Sequence, residues 1–322
     1  MRLYRGEEAR NLRWAAEAPV LALGFFDGVH RGHQALVRRA VADARRAGAP
    51  AGVLTFEPHP LAVLRPERPP DLLTTLEEKA ALLAGLKLDF TVAYPFSREL
   101  AALAPERFVS EVLCGQFRVR EVVVGYNFTF GAGGRGHYAL LSGQGCAHGF
   151  TTVLIPPVTL KRRAVSSTAV RERLLAGRVE EAEELLGHPY LVSGQVRHGA
   201  GRGRRLGFPT ANVASPEGKL LPGDGVYFVS VDLGGETWPG VASVSDNPTF
   251  AGGERQLEVH LLAFEGDLYA QTVTVRFRRW LRGIQRFASA EELSAQVARD
   301  RAEAERLWTG EAAASAPAEV SG

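Results

Sequence analysis

The sequence predicts an α/β doubly wound domain over residues 1–186, followed by a small antiparallel β-barrel domain with a C-terminal helix over residues 187–310. Three observations predict it. Short apolar runs alternate with helical patterns through the first part, which indicates a parallel sheet covered on both faces. Beyond "LLGHPY", residues 185–190, short alternating runs separated by Gly, Pro and Asp turns replace them. At 322 residues the chain can bury two separate cores.

The elements follow in order. "APVLALGFF" is apolar on both faces and reads as a buried strand. "HQALVRRAVADARRAG" spaces Ala35, Leu36, Ala40, Val41 and Ala44 helically and stops at Gly48. "AGVLTF" is a strand broken by "EPHP", and "TTLEEKAALLAGL" is a helix opened by a capping box from Thr74 to Glu77. "FTVAYPF", "REVVVGYNF" and "TTVLIPPV" are strands, "APERFVSEVL" is a helix, and "SSTAVRERLLAG" begins another. The barrel strands are "YLVSGQVRHG", "GVYFVSVDL", "WPGVASVS", "QLEVHLLAF" and "QTVTVRFRRWL". "SAEELSAQVARDRAEAERLW" is a helix with a capping box from Ser289 to Glu292, and the small, polar tail 311–322 is expected to be disordered.

Composition excludes more than it selects. Hydrophobic residues make up 45% and charged residues 23%, and the net charge is +2, so the overall charge does not call for nucleic acid as a partner. No apolar run approaches the ~20 residues that span a bilayer, and no signal-peptide h-region precedes Pro19. Two cysteines, Cys114 and Cys146, match no zinc spacing and form no disulfide framework, which fits a cytoplasmic protein.

Two stretches carry chemistry. In "GFFDGVHRGH", residues 24–33, the chain leaves a strand through Gly24 and Gly28 and enters a helix near Gly32 and His33. Glycines let a ligand approach the backbone, and a helix start attracts phosphate. His30 and His33 can then hydrogen-bond a phosphorus centre under attack. A zinc site is the weaker reading, because no third ligand lies nearby. In "HGAGRGRRLGFPTAN", residues 198–212, Gly199, Gly201 and Gly203 form a loop whose amides can wrap phosphate, with Arg204 among the charges. Thr210 and Asn212 lie two apart in an extended stretch and share a face, offering oxygens that suit Mg²⁺. Alternation in "QLEVHLL" puts Leu257, Val259 and Leu261 on one face and Glu258 and His260 on the other. Glu258 then either faces a cleft or is an ordinary exposed strand residue.

The first stretch resembles the HxGH signature of the nucleotidylyltransferase superfamily, in the form found in bacterial FAD synthetases. "TFEPHP", "VVVGYNFTFG" and "VSSTAVRERLLAGRVEEAEELLGHPY" are similar to further segments of those enzymes. The resemblance implies catalytic roles for His30, His33 and Arg171. It implies ATP or phosphate binding by Gly24, Phe26, Asp27, Gly28, Gly32, Ser167 and Thr168, and flavin binding by Asn127. Ser166, Ser167 and Thr168 alone would read as helix caps. "GRRLGFPTAN", "PGDGVYFVSV" and "NPTF" (residues 247–250) resemble bacterial riboflavin kinase. That implies Gly199, Gly201, Gly203 and Arg204 at ATP, Phe208 at flavin, Thr210 and Asn212 at magnesium, and Glu258 as general base. Together the two halves resemble the bifunctional riboflavin kinase/FMN adenylyltransferase family. The resemblance implies riboflavin, FMN, FAD and ATP as ligands, with Mg²⁺ in both reactions. Ser243, Ser245, Ile284 and His137 depart from the family pattern. Two rival readings are an enzyme retaining one activity and a nucleic-acid-binding protein on a synthetase-like fold.

Overall fold

The structure, a computed structural model, describes residues 1–14, 17–198, 208–246 and 255–315. It divides into two compact units, Met1–Ser167 and Thr168–Gly322.

The first unit holds a six-stranded sheet of β1 (Arg2–Arg5), β2 (Val20–Leu23), β3 (Ala51–Glu57), β4 (Phe90–Pro95), β5 (Glu121–Gly125) and β6 (Thr151–Ile155). The order is β1-β4-β3-β2-β5-β6, and every pairing is parallel. Alternate residues of one strand feed opposite faces. Leu21 and Leu23 join a cluster with Leu54, Val122 and Val124, whereas Val20 and Ala22 join Val53, Val123 and Ala40. Burial on both faces explains why the strands read as unbroken apolar runs. Packing is close: a Cβ on Gly52 would lie 2.3 Å from the Phe90 ring. The order reverses at β2, which β3 flanks on one side and β5 on the other. Ligands of doubly wound sheets bind outside the carboxyl ends at such a switch point. There β2 runs into "GFFDGVHRGH" and β5 into "YNFTFG".

Several local expectations need correction. The capping box is formed by Thr75 and Glu78, not Thr74 and Glu77: Glu78 N–H donates to Thr75 Oγ1 and Thr75 N–H to Glu78 Oε2. Both Thr-x-x-Glu pairs satisfy the pattern, and Thr74 is engaged elsewhere. Strand β1 and the helices Gly6–Asn11 and Tyr138–His148 have patterns too weak to foresee. His137 caps the latter helix, its Nδ1 accepting from Leu140 N–H. The expected helix in "APERFVSEVL" continues as a π-helical segment, Phe108–Gln116. A short ribbon of β7 (Thr159–Leu160) and β8 (Arg163–Ala164) precedes the helix Ser167–Leu175.

The second unit is a closed antiparallel barrel in the order β10-β13-β12-β11-β14-β9. Its strands are β9 (Tyr190–Arg197), β10 (Ala211–Ala214), β11 (Gly225–Leu233), β12 (Glu236–Asp246), β13 (Arg255–Leu261) and β14 (Thr272–Arg282). Leu257, Val259 and Leu261 are buried and Gln256, Glu258 and His260 are not, as the alternation requires. The physical division at Ser167 precedes the compositional change at 186. From Thr168 onward, the helical segments pack with the barrel: Gly223 N–H donates to Leu174 O at 2.7 Å, and Trp280 N–H to Glu180 Oε1 at 3.3 Å. A helical pattern carries no mark of which core it covers.

The C-terminal helix, Ala290–Ser315, lays Ala304 and Leu307 on Phe228 and Leu262. Arg282 grips the buried Asp300 through both carboxylate oxygens at 2.7–3.1 Å. The helix extends to Ser315; residues 316–322 lie outside the described residues.

Candidate active sites

The turn after β2 is held in an uncommon backbone shape. Gly28 has φ 80°, and two residues that carry side chains, Phe26 and Val29, have φ 52° and 43°. For a β-branched valine this is a strained conformation, of a kind that persists only where neighbours enforce it. The enforcing contacts centre on Asp27, which is 3% exposed. Its carboxylate accepts from Leu73 N–H at 3.0 Å, Thr74 N–H at 3.1 Å and Thr74 Oγ1 at 3.3 Å. Gly28 N–H donates to Thr74 Oγ1 at 3.0 Å, and Gln34 Nε2 to Val29 O at 3.0 Å. Ser167 Oγ donates to Asp27 O at 2.9 Å. A local cap would have served its own helix; Ser167 instead fastens this turn.

The two histidines stack, with ring centroids 3.6 Å apart. His30 is the N-cap of the helix Arg31–Ala47, its Nδ1 accepting from His33 N–H at 3.2 Å. That bond requires an unprotonated Nδ1, so in the neutral ring Nε2 carries the proton and can donate it to a ligand. A Cβ on Gly32 would approach the His30 ring to 3.0 Å, so the glycine makes room for the imidazole. Burial pushes the His30 pKa down to about 4, against smaller opposing effects of a backbone bond and Asp27. Burial also holds His33 well below the ordinary range, reinforced by His30 and Lys79. His33 Nδ1 is buried without a partner among the described residues. Both rings are therefore neutral donors at pH 7, and positive charge at this centre must come from other groups.

Lys79 was not foreseen. It is 6% exposed on the helix Leu76–Ala84, where the sequence shows only one charge among several. Thr74 was misread as a cap. Asn127 is exposed in the loop after β5, at the carboxyl end of the strand beside β2. Thr168 is exposed and Arg171 half-buried on the helix Ser167–Leu175, beyond the division between the units.

The barrel site is built by register. Asn212 of β10 lies directly opposite Glu258 of β13, and Glu258 directly opposite Ser243 of β12. Directly opposed residues share a face, so the three side chains form one row. Thr210 precedes β10, and its Oγ1 lies 3.5 Å from Glu258 Oε2. Glu258 is half-buried among polar oxygens, which is not the environment of a lone solvated strand residue. On the same face, His260 Nδ1 donates to Pro209 O at 2.8 Å, and its Nε2 is buried without a partner among the described residues. Burial lowers the His260 pKa, and Arg301 lowers it further. Phe208 is half-buried, edge-on to His260, with the Arg301 guanidinium 5.8 Å from its ring centroid. Gly199, Gly201, Gly203, Arg204 and "NPTF" lie outside the described residues. Ser245 pairs opposite Gln256, and Ile284 is exposed.

A strained turn feeding a helix that starts between stacked imidazoles is the arrangement of the α/β unit, and a row of Asn212, Glu258 and Ser243 that of the barrel. Comparison with known proteins identifies the family of each half. The family model described as FAD synthetase matches residues 13–169, and that described as riboflavin kinase matches residues 186–308. The chain belongs to the bifunctional riboflavin kinase/FMN adenylyltransferase family. It is 42% identical over 310 residues to the member from Escherichia coli (strain K12), covering 96% of this chain and 98% of the relative. It is 42% identical over 308 residues to the member from Pseudomonas fluorescens, covering 95% and 98%. The Bacillus subtilis (strain 168) member is 35% identical, with coverage of 90% and 92%. A crystal structure from Streptococcus pneumoniae, titled a macrolide-efflux protein, superposes with a TM-score of 0.85 at 30% identity, covering 95% of this chain and 99% of that one. Among the described residues, no helix of the present chain is long and apolar enough to cross a membrane.

Proposed function

We propose that the chain converts riboflavin to FMN in the barrel unit and FMN to FAD in the α/β unit, with ATP as co-substrate of both steps. We assign residues 1–186 to adenylyl transfer and 187–310 to the kinase. The observation that carries the reading is the contrast between the two centres. One presents neutral, buried imidazoles, with its Asp27 carboxylate occupied by Leu73 and Thr74; the other presents a half-buried carboxylate beside hydroxyl and amide oxygens.

The nucleophiles require that contrast. In the kinase step the 5′-hydroxyl of riboflavin attacks the γ-phosphorus of ATP and loses its proton, for which Glu258 is the base. In the second step the FMN phosphate attacks the α-phosphorus of a second ATP, pyrophosphate leaves, and no proton needs removal. His30 Nε2 and His33 donate to the α-phosphate oxygens, and Gly24, Phe26, Asp27, Gly28 and Gly32 shape the turn beneath them. Ser167 holds the turn. Thr168 and Arg171 would bind phosphate, Arg171 as a bidentate fork, and Asn127 would orient FMN. In the barrel, Phe208 would pack on flavin, while Gly199, Gly201, Gly203 and Arg204 would wrap the ATP phosphates. The oxygens of Thr210 and Asn212 fit Mg²⁺, a hard cation that keeps waters and is held with substrate phosphates. When bound, it would neutralise phosphate charge. Two free cysteines and the use of ATP support a cytoplasmic setting.

The test is the full-length protein with riboflavin, ATP and Mg²⁺, with flavins separated by chromatography. FMN and FAD should both form. His33→Ala should slow FAD formation from FMN by ~10²–10³ with the kinase intact. Glu258→Gln should slow the kinase by ~10²–10⁴ with FAD formation from supplied FMN intact. Equal loss of both activities in either variant would contradict two centres, and absence of both flavins from the wild-type reaction would end the reading.

A further inference from the structure

We propose that Lys79 is the cation of the adenylyl-transfer centre, its ammonium binding the β- and γ-phosphates of ATP and the pyrophosphate that leaves. The inference rests on the α/β unit being the adenylyltransferase and adds a residue that neither the motifs nor the comparisons assign.

Placement comes first. The segment leading into the helix Leu76–Ala84 is tied to the phosphate turn by Asp27, through Leu73 N–H and Thr74 N–H. Lys79 sits one turn into that helix, its N–H donating to Thr75 O at 2.9 Å. Side chains on a helix lean toward its N-terminus, so the lysine stem points back toward the Asp27 turn. It is almost wholly buried, yet the ammonium makes no side-chain hydrogen bond and no ion pair within 4.0 Å among the described residues. Asp27 and Glu57 favour its charged form at longer range, while burial lowers its pKa, and its charge is felt at His33. Glu57 ends β3, next to β2, and the pKa of its own carboxyl is raised mainly by burial, against the pull of Lys79.

An ammonium on a largely buried side chain, with no ion-pair partner within reach, favours an anion beside it. The chemistry supplies that anion. As the FMN phosphate oxygen bonds to the α-phosphorus, the bond from that phosphorus to the bridging oxygen breaks. The electron pair departs on pyrophosphate, and no proton is transferred. Charge builds on a leaving group that already carries several negative charges. The neutral imidazoles of His30 and His33 can donate hydrogen bonds to it but cannot balance its charge. Lys79 shares their neighbourhood and can, remaining protonated throughout.

The competing role is structural: a counter-ion that merely offsets Asp27 and Glu57. Lys79→Met keeps the apolar stem and removes the charge. In the full chain it should lower the adenylyl-transfer rate by ~10²–10³, as for loss of one preorganised donor. It should weaken product inhibition by pyrophosphate at least tenfold, and Lys79→Arg should recover much of both. Kinase turnover in the same samples reports folding and should stay within twofold. A slower adenylyl transfer with unchanged pyrophosphate inhibition would overturn phosphate binding and leave the counter-ion role. If Lys79→Met does not fold, a crystal structure of wild type with pyrophosphate decides: Nζ within ~3 Å of a phosphate oxygen supports the proposal, and a separation beyond ~5 Å overturns it. Wild-type protein that makes FMN but no FAD would refute the parent reading instead.

Discussion

Thr74→Val tests whether the strained turn is held in shape by one hydroxyl. The change keeps the branched shape and replaces the hydroxyl with a methyl. Two hydrogen bonds are lost, Gly28 N–H to Oγ1 at 3.0 Å and Oγ1 to the Asp27 carboxylate at 3.3 Å. Thr74 N–H still reaches Asp27, so the tether to the helix Leu76–Ala84 remains. A buried neutral hydrogen bond contributes about 1 kcal/mol and one to a charged group about 1.5–3 kcal/mol; together the loss is about 2–4 kcal/mol. For a unit of this size that lowers Tm by roughly 5–15 °C. The functional effect should exceed the loss of folded protein. Gly28 and Asp27 position the helix start that carries His30, and a ~1 Å displacement there costs on the order of 10²-fold in rate. Thr74→Ser keeps both bonds and is the control. The assays are thermal unfolding and the two half-reactions on each variant. The valine variant should lose FAD formation and keep the kinase. If valine and serine variants match wild type in Tm and in FAD formation, the hydroxyl does not hold the turn.

Two further outcomes follow from the structure. The His30 pKa is depressed to about 4 in the folded state, so the unfolded chain binds more protons between its ordinary value near 6.5 and 4. The α/β unit should therefore lose stability as pH falls through that window, by roughly 3 kcal/mol from His30 alone; His30→Gln should flatten the loss in denaturant titrations, and an unchanged pH dependence would show that His30 is not buried neutral. In the barrel, a Cβ on Gly194 would lie 2.2 Å from Ala214 O, so Gly194→Val should disrupt the β9–β10 pairing and reduce kinase activity while FAD formation from FMN persists; a fully active kinase would contradict this closure.

What the sequence revealed depended on what each pattern encodes. Strand-helix alternation and period-two burial are imprinted by the cores, so both architectures were legible, down to the inward row Leu257, Val259 and Leu261. The histidine stretch was legible because a turn of that shape needs particular residues. The rest was hidden where one residue type serves two purposes. Thr74 and Thr75 both satisfy a capping pattern, and only the bonds show that one caps while the other builds the site. Lys79 sits within "LEEKAALL", where a charge reads as the wet face of a helix; its burial is set by tertiary packing, which the pattern does not carry. Thr168 and Arg171 continue a helical pattern that says nothing of the division just before them.

Burial sets the protonation states on which the proposed roles depend. Imidazole is an effective proton acceptor near neutral pH when its pKa is near 6.5. Sealed as they are, His30 and His33 are poor bases, and that suits a reaction whose nucleophile has no proton to lose. Partial desolvation has a further effect. A neutral donor fixed in a buried site needs no reorganisation as charge redistributes on the phosphate, so its hydrogen bond strengthens in the transition state. Glu258 stands in a different situation: it is half-buried, beside Thr210 and opposite Asn212, where the proposed kinase step places a carboxylate near the hydroxyl nucleophile. Exchanging the two environments would disable both reactions. A solvated, protonated histidine pair would repel a neighbouring ammonium at Lys79. On the proposed reading, burial shapes the histidine centre as much as residue type does.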